Sequence, residues 1–272
     1  MKNRIYTMII EVVFTLYGYA QTNGDEHKIP EQSSPADSAN YRMTIDWKFR
    51  DLNGGVQTHN ITNWKVRQLS QQSYIDNAFQ LEDVRWTVIN EQGQNTRKLD
   101  ELEGLTFQIQ GDNFTKLDFY KDVLPAHVNI FRTFVQDKVG FDVTGQMYLD
   151  SLRLNIPFYP DFFQNQQADF EQSVSFTNQG MNITWLGYSK INGKDCILLH
   201  VKSMFNPFRS EDDMMITNGR SCYWQNIWIL PDTRQIEYAV MNEDIVSVTK
   251  LKGNDIERQN YIQREVIYEK VE

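Results

Sequence analysis

A chain of 272 residues is long enough to bury a sizeable core, and 40% apolar with 13% aromatic residues supply the side chains to fill one. This composition argues against a chain disordered throughout. A net charge of -9, with no run of Lys and Arg to override it locally, makes nucleic acid a poor partner.

The N-terminus carries Lys2 and Arg4, then an apolar stretch to about Leu16, then Gly18-Tyr19-Ala20 before a polar run. That order is expected of a secretory signal spanning 1–20, and it points to a periplasmic or extracellular location. Glu11 interrupts the apolar stretch, so an N-terminal strand or buried helix is the alternative. The stretch is too short for a comfortable bilayer span, and an integral membrane protein is not expected. Residues 21–40 are almost devoid of apolar side chains and are expected to form a disordered leader with nothing to bury. A single antiparallel-sheet domain is expected over 41–272.

Residues 41–50 alternate, with Tyr41, Met43, Ile45, Trp47 and Phe49 on one face, and Asn53-Gly54-Gly55 ends the strand. Residues 84–90 and 105–109 alternate likewise, and 114–120 resembles a returning strand. Residues 122–139 change period. Ile130, Phe131, Phe134, Val135 and Val139 form a helical stripe, Pro125 suits a first turn, and Gly140 suits a stop. The segment 141–165 fits either helix or strand and ends in an aromatic loop around Pro157 to Phe163. Beyond it, strands are expected at 170–176, 181–191, 194–204, 221–230, 235–241, 244–251 and 262–271. Turn chemistry separates them at Asn178-Gln179-Gly180, Asn192-Gly193, Asn218-Gly219, Pro231-Asp232 and 252–255. The predicted class is α+β, mostly antiparallel β.

No motif announces catalysis, a metal or a cofactor. The four histidines lack metal-ligand spacing, and no serine-nucleophile or phosphate-loop signature occurs. Cys196 and His200 share a strand face at a spacing that chance also produces, and both are read as packed sheet residues. Glu211-Asp212-Asp213 lacks the alternation of a calcium loop and is read as a solvated turn. Cys196 and Cys222 could form a disulfide in an oxidising compartment or remain two free thiols. The late strands place apolar residues on both faces, as in Ile197 to Val201 and Ile227 to Leu230. Such faces either pack a filled core or line a cavity.

Two stretches carry a resemblance. Leu186-Gly-Tyr-Ser-Lys-Ile-Asn-Gly-Lys-Asp-Cys196-Ile-Leu-Leu-His-Val201 and Tyr223-Trp-Gln-Asn-Ile-Trp-Ile-Leu-Pro-Asp-Thr-Arg-Gln-Ile-Glu-Tyr238 are similar to two hairpins of the periplasmic lipoprotein-carrier superfamily, the LolA/LolB-like fold. It covers about 181–250. It implies a strongly curved antiparallel sheet, a half-barrel, with a helix against its concave side and a hydrophobic or lipid-like ligand in the concavity. It brings no catalytic residues. Trp185, Leu199, Trp228 and Tyr238 are the candidate wall residues. The expected function is thus a non-enzymatic envelope protein binding such a ligand. The alternatives are a structural or protein-interaction module with a filled core, and a secreted hydrolase whose acids converge only in three dimensions.

Overall fold

The computed structural model describes residues 28–32, 38–51, 53–73, 75–161, 166–170, 174–253 and 257–271. The expected signal at 1–20 lies outside the described residues, as does most of the expected leader.

Among the described residues twelve strands form one sheet: β1 Ala39–Arg50, β2 Val56–Ser73, β3 Asp76–Asn90, β4 Gly93–Lys98, β5 Thr106–Gln110, β6 Gln166–Phe170, β7 Val174–Asn178, β8 Asn182–Ile191, β9 Lys194–Glu211, β10 Met215–Ile229, β11 Ile236–Leu251 and β12 Glu257–Val271. Their order is β4-β3-β2-β1-β12-β11-β10-β9-β7-β6, every pairing along it antiparallel. β5 sits beside β3, and β8 beside β9. The sheet is curved and not closed into a barrel. The N-terminal meander and the C-terminal hairpins meet at β1 and β12, where Met43 opposes Tyr268 and Trp47 opposes Arg264.

Period-2 alternation sets the faces. Tyr41, Met43 and Ile45 of β1 are buried with Trp64 and Val66 of β2, Phe79 and Leu81 of β3, and Val266 and Tyr268 of β12. The one α-helix among the described residues, α1 Val128–Gln146, lies on this concave face. Phe134 stacks on Trp64 at 4.5 Å, and Phe141 on Tyr268 at 6.0 Å. Near the helix C-terminus, a Cβ on Gly145 would touch Ile227, Ile229 and Ile236 at 3.5–3.6 Å, so the glycine allows a close approach to β10 and β11. Lys138 of α1 is fully buried, paired with Asp142 at 2.7 Å and bonded to Asn77 at 3.3 Å.

Several expectations are corrected. Residues 114–120 form short 3₁₀ turns, Asn113–Thr115 and Leu117–Tyr120, not a strand. Local bonds hold them: Tyr120 donates to the Phe114 carbonyl at 2.6 Å, and Phe119 packs against Phe107 and Phe131. Gly140 does not stop the helix, because burial of Phe141 against the sheet outweighs the roughly 1 kcal/mol penalty of an internal glycine. β2 had no counterpart in the expected strands. Residues 170–176 divide between the paired strands β6 and β7, while 235–241 and 244–251 are one strand, β11. Asn218-Gly219 lies inside β10, not at a turn. Of the expected leader, Ile29 is buried in the core, and the Pro30 carbonyl accepts a bond from Arg234 at 3.2 Å. Asn192-Gly193 makes the expected tight hairpin, with both residues at positive φ, 50° and 76°.

Candidate functional site

Strand register arranges the concave face in rows. One row runs Asn60, Trp47, Arg264, Glu243, Tyr223, Ser203 across β2, β1, β12, β11, β10 and β9. The row beneath it is Thr62, Ile45, Val266, Met241, Gln225, Val201, and the one above contains Phe49, Ile262, Ile245, Ser221, Asn206. The C-terminal half of α1 covers the rows toward Tyr268 and Ile227. Beside its N-terminal half the concave face opens into a cleft of about 1090 Å³.

The cleft has apolar walls from several elements: Trp47 of β1, Tyr223 of β10, Met241 and Ile245 of β11, Phe208 of β9, and Val123 ahead of the helix. Phe208 is accommodated by Gly219, where an added Cβ would lie 2.6 Å from its ring. That requirement explains a glycine in mid-strand. A smaller cavity of about 200 Å³, lined by Ile45, Phe49 and Trp86, lies on the other flank of the helix. Trp47, Asn129 and Thr133 line both spaces.

A buried charged cluster closes the floor. Arg264 donates from Nη1 to Glu243 Oε2 at 2.6 Å and from Nη2 to Asp137 Oδ2, and its guanidinium lies 4.7 Å from the Trp47 ring centre. All three charged side chains are at most 10% exposed. Loss of water costs Asp137 more than Arg264 returns, with Glu243 adding repulsion, so its carboxyl is pushed up to about 6. Arg264, between two carboxylates, is held above the ordinary arginine range. Two polar atoms of the wall, Arg264 Nε and Ser221 Oγ, are buried with no hydrogen-bond partner. Tyr223, half-buried beside Glu243, has its hydroxyl pKa raised, chiefly by desolvation.

The four candidate wall residues do not come together here. Trp185 and Leu199 are buried in the filled core between β8 and β9. Trp228 and Tyr238 are half-buried cross-strand partners with rings 5.5 Å apart, in alternation with the inward-facing Ile227 and Ala239. None lines the cleft. Nor are Cys196 and Cys222, for which a disulfide and two free thiols were the alternatives, brought together. Both cysteines are free thiols. Ile197 opposes Ile229, so Cys222 sits seven positions along β10 from Cys196's neighbour, about 23 Å at strand spacing, far beyond the roughly 7 Å Cα limit. The Cys196 thiol faces the Lys194 carbonyl at 3.8 Å, and His200 bonds Asn226 at 2.9 Å. Asp212 accepts the Met214 and Met215 amides, while Glu211 pairs with Arg209 and Lys252.

No protein-family model matches the chain, and no curated protein matches it. Among solved structures, lipovitellin, described in terms of its lipid-protein interactions, is similar with a TM-score of 0.45 and 12% identity over 89% of this chain and 26% of that one. The binding domain of botulinum neurotoxin serotype C1 gives a TM-score of 0.15 and 14% identity over 86% and 83%. The chain thus spans about a quarter of the lipovitellin chain. At these scores neither similarity bears on function. What holds of the resemblance to lipoprotein carriers is the architecture, a curved antiparallel sheet with a helix against its concave side. Among the described residues no helix is long and apolar enough to cross a membrane.

Proposed function

We propose that this protein is a non-enzymatic, secreted or periplasmic envelope protein that binds one hydrophobic or lipid-like molecule in the concave cleft. The observation that carries the reading is the cleft itself, about 1090 Å³ walled by Trp47, Tyr223, Phe208, Met241 and Ile245. Pockets that bury ligands are mostly apolar with a few fixed polar groups. A protein serving only as a packed interaction module has no need of such a space.

A second reading has one observation in its favour: Asp137 and Glu243 are two carboxylates in one cleft, the pair that glycoside hydrolysis uses. Both are engaged by a single guanidinium and are nearly inaccessible, which suits holding helix to sheet better than proton transfer to a substrate. Native mass spectrometry with organic extraction, on residues 21–272 purified from a periplasm, tests the binding reading. A co-purifying or added acyl-containing species is expected at near-stoichiometric level and unaltered in mass. A clean apo mass with no uptake of added lipid would overturn it. Release of cleaved products, lost in Asp137→Asn, would replace it with the hydrolase.

A further inference from the structure

Within that binding reading, the distribution of charge around the cleft fixes which way round a ligand lies. Helix α1 turns the stripe Asn129, Arg132, Thr133, Gln136, Asp137 and Gly140 toward the opening. Asp137, toward the middle of the helix, belongs to the floor. Arg132 lies five residues nearer the N-terminus, about 7.5 Å along the axis.

The two ends differ in sign. With both carboxylates ionised, Asp137, Glu243 and Arg264 sum to one negative charge in a dry environment, which repels an anion and strips it of water. The outer lip carries Lys121 and Arg132. Arg132 stacks 5.2 Å from the Tyr120 ring centre, and among the described residues it has no carboxylate within ion-pair distance. Lys121 has only an exposed partner, Asp118, at 3.8 Å. The first turn of α1 contains no acidic residue and His127 supplies no side-chain cap, while Glu101 lies 3.7 Å from the His127 ring and offsets the positive helix end. Asp212, the remaining charged group of the wall, is engaged in its own turn. Arg264 Nε–H at the floor and the Ser221 hydroxyl in the row above it, both unpartnered, can accommodate at most a neutral polar group.

We infer that the cleft takes a long-chain carboxylate, chain inward along Tyr223, Met241 and Ile245, with its anionic head on Lys121 and Arg132 at the lip. Delipidated full-length protein titrated in parallel with oleate, oleyl alcohol and oleylamine tests this. Oleate is expected to bind roughly tenfold tighter than the alcohol, the combined effect of one exposed and one half-buried cation. Lys121→Gln with Arg132→Gln should remove that advantage, leaving oleyl alcohol affinity unchanged and the fold intact by circular dichroism. Equal affinity for oleate and alcohol, or an equal loss of both in the double variant, would overturn the head-group assignment. Preference for oleylamine would overturn it by placing the head on the acidic floor. Failure of all three to bind would sink the binding reading along with it.

Discussion

At the scale of single residues, the cluster of Asp137, Arg264 and Glu243 ties one helix to two strands. A buried carboxylate is stabilised by its cation and destabilised by the loss of water, and at Asp137 the second effect is the larger. The folded-state pKa of about 6 therefore lies above the ordinary value of 3.8, so the native protein holds this proton more tightly than the unfolded chain. Stability contributed by Asp137 is full below pH 3.8, falls as pH rises toward 6, and levels off above it. At about 1.36 kcal/mol per unit, the loss is at most about 3 kcal/mol. Urea unfolding of the wild type and Asp137→Asn across pH 4 to 7 checks this. The wild type should lose stability relative to the variant as pH rises, and parallel pH profiles would show that the carboxyl does not titrate in this window.

At the scale of elements, α1 contains a second buried pair. Lys138 has no exposed surface and answers Asp142, Asn77 and, at 5.4 Å, the Phe79 ring. Removing one partner strands the other charge, so Lys138→Ala should cost about 3–5 kcal/mol, whereas Lys138→Met with Asp142→Leu should recover most of it. Denaturant midpoints of the two variants measure the difference; equal losses would mean that packing volume, not the stranded charge, sets the cost. The apolar stripe of this helix was legible in the sequence, because Phe131, Phe134 and Val135 do face the core. Its polar stripe, Asn129, Arg132, Thr133, Gln136 and Asp137, faces the cleft, and no periodicity in the sequence marks a polar helix face as a cleft wall. The same physics hid other elements. β2 turns Thr62 and Gln68 inward beside Trp64 and Val66, and Gln68 satisfies its amide on the Ser70 and Ala78 carbonyls across a bulge, so alternation fails as a signal. The upper parts of β9, β10 and β11 turn Ser203, Asn206, Gly219, Ser221 and Ser247 inward, small or polar residues that suit the end of an open cleft better than a core. Strand periodicity disappears where the core stops, and for that reason Asn218-Gly219 resembled a turn.

At the scale of the whole molecule, the sheet works as two regions. Toward Tyr268 and Ile229 its concavity is filled by α1, and Trp185 and Leu199 belong to that filled region. Toward Trp47, Glu243 and Ile245 it is open. The class of fold was readable from alternation and hairpin chemistry, because those depend on local sequence. The floor was not, because Asp137, Glu243 and Arg264 are separated by many residues and meet only through the register of β11 with β12 and the docking of the helix. The most direct test of the cleft as the ligand site is binding of a fluorescent acyl-chain probe to Ile245→Trp, which fills the cleft from a half-buried position on β11, beside Trp228→Ala on a strand position outside it. Probe binding should be lost in Ile245→Trp with the fold intact by circular dichroism, and retained in Trp228→Ala. Retention in Ile245→Trp with loss in Trp228→Ala would contradict the cleft and return the site to the wall inferred from sequence.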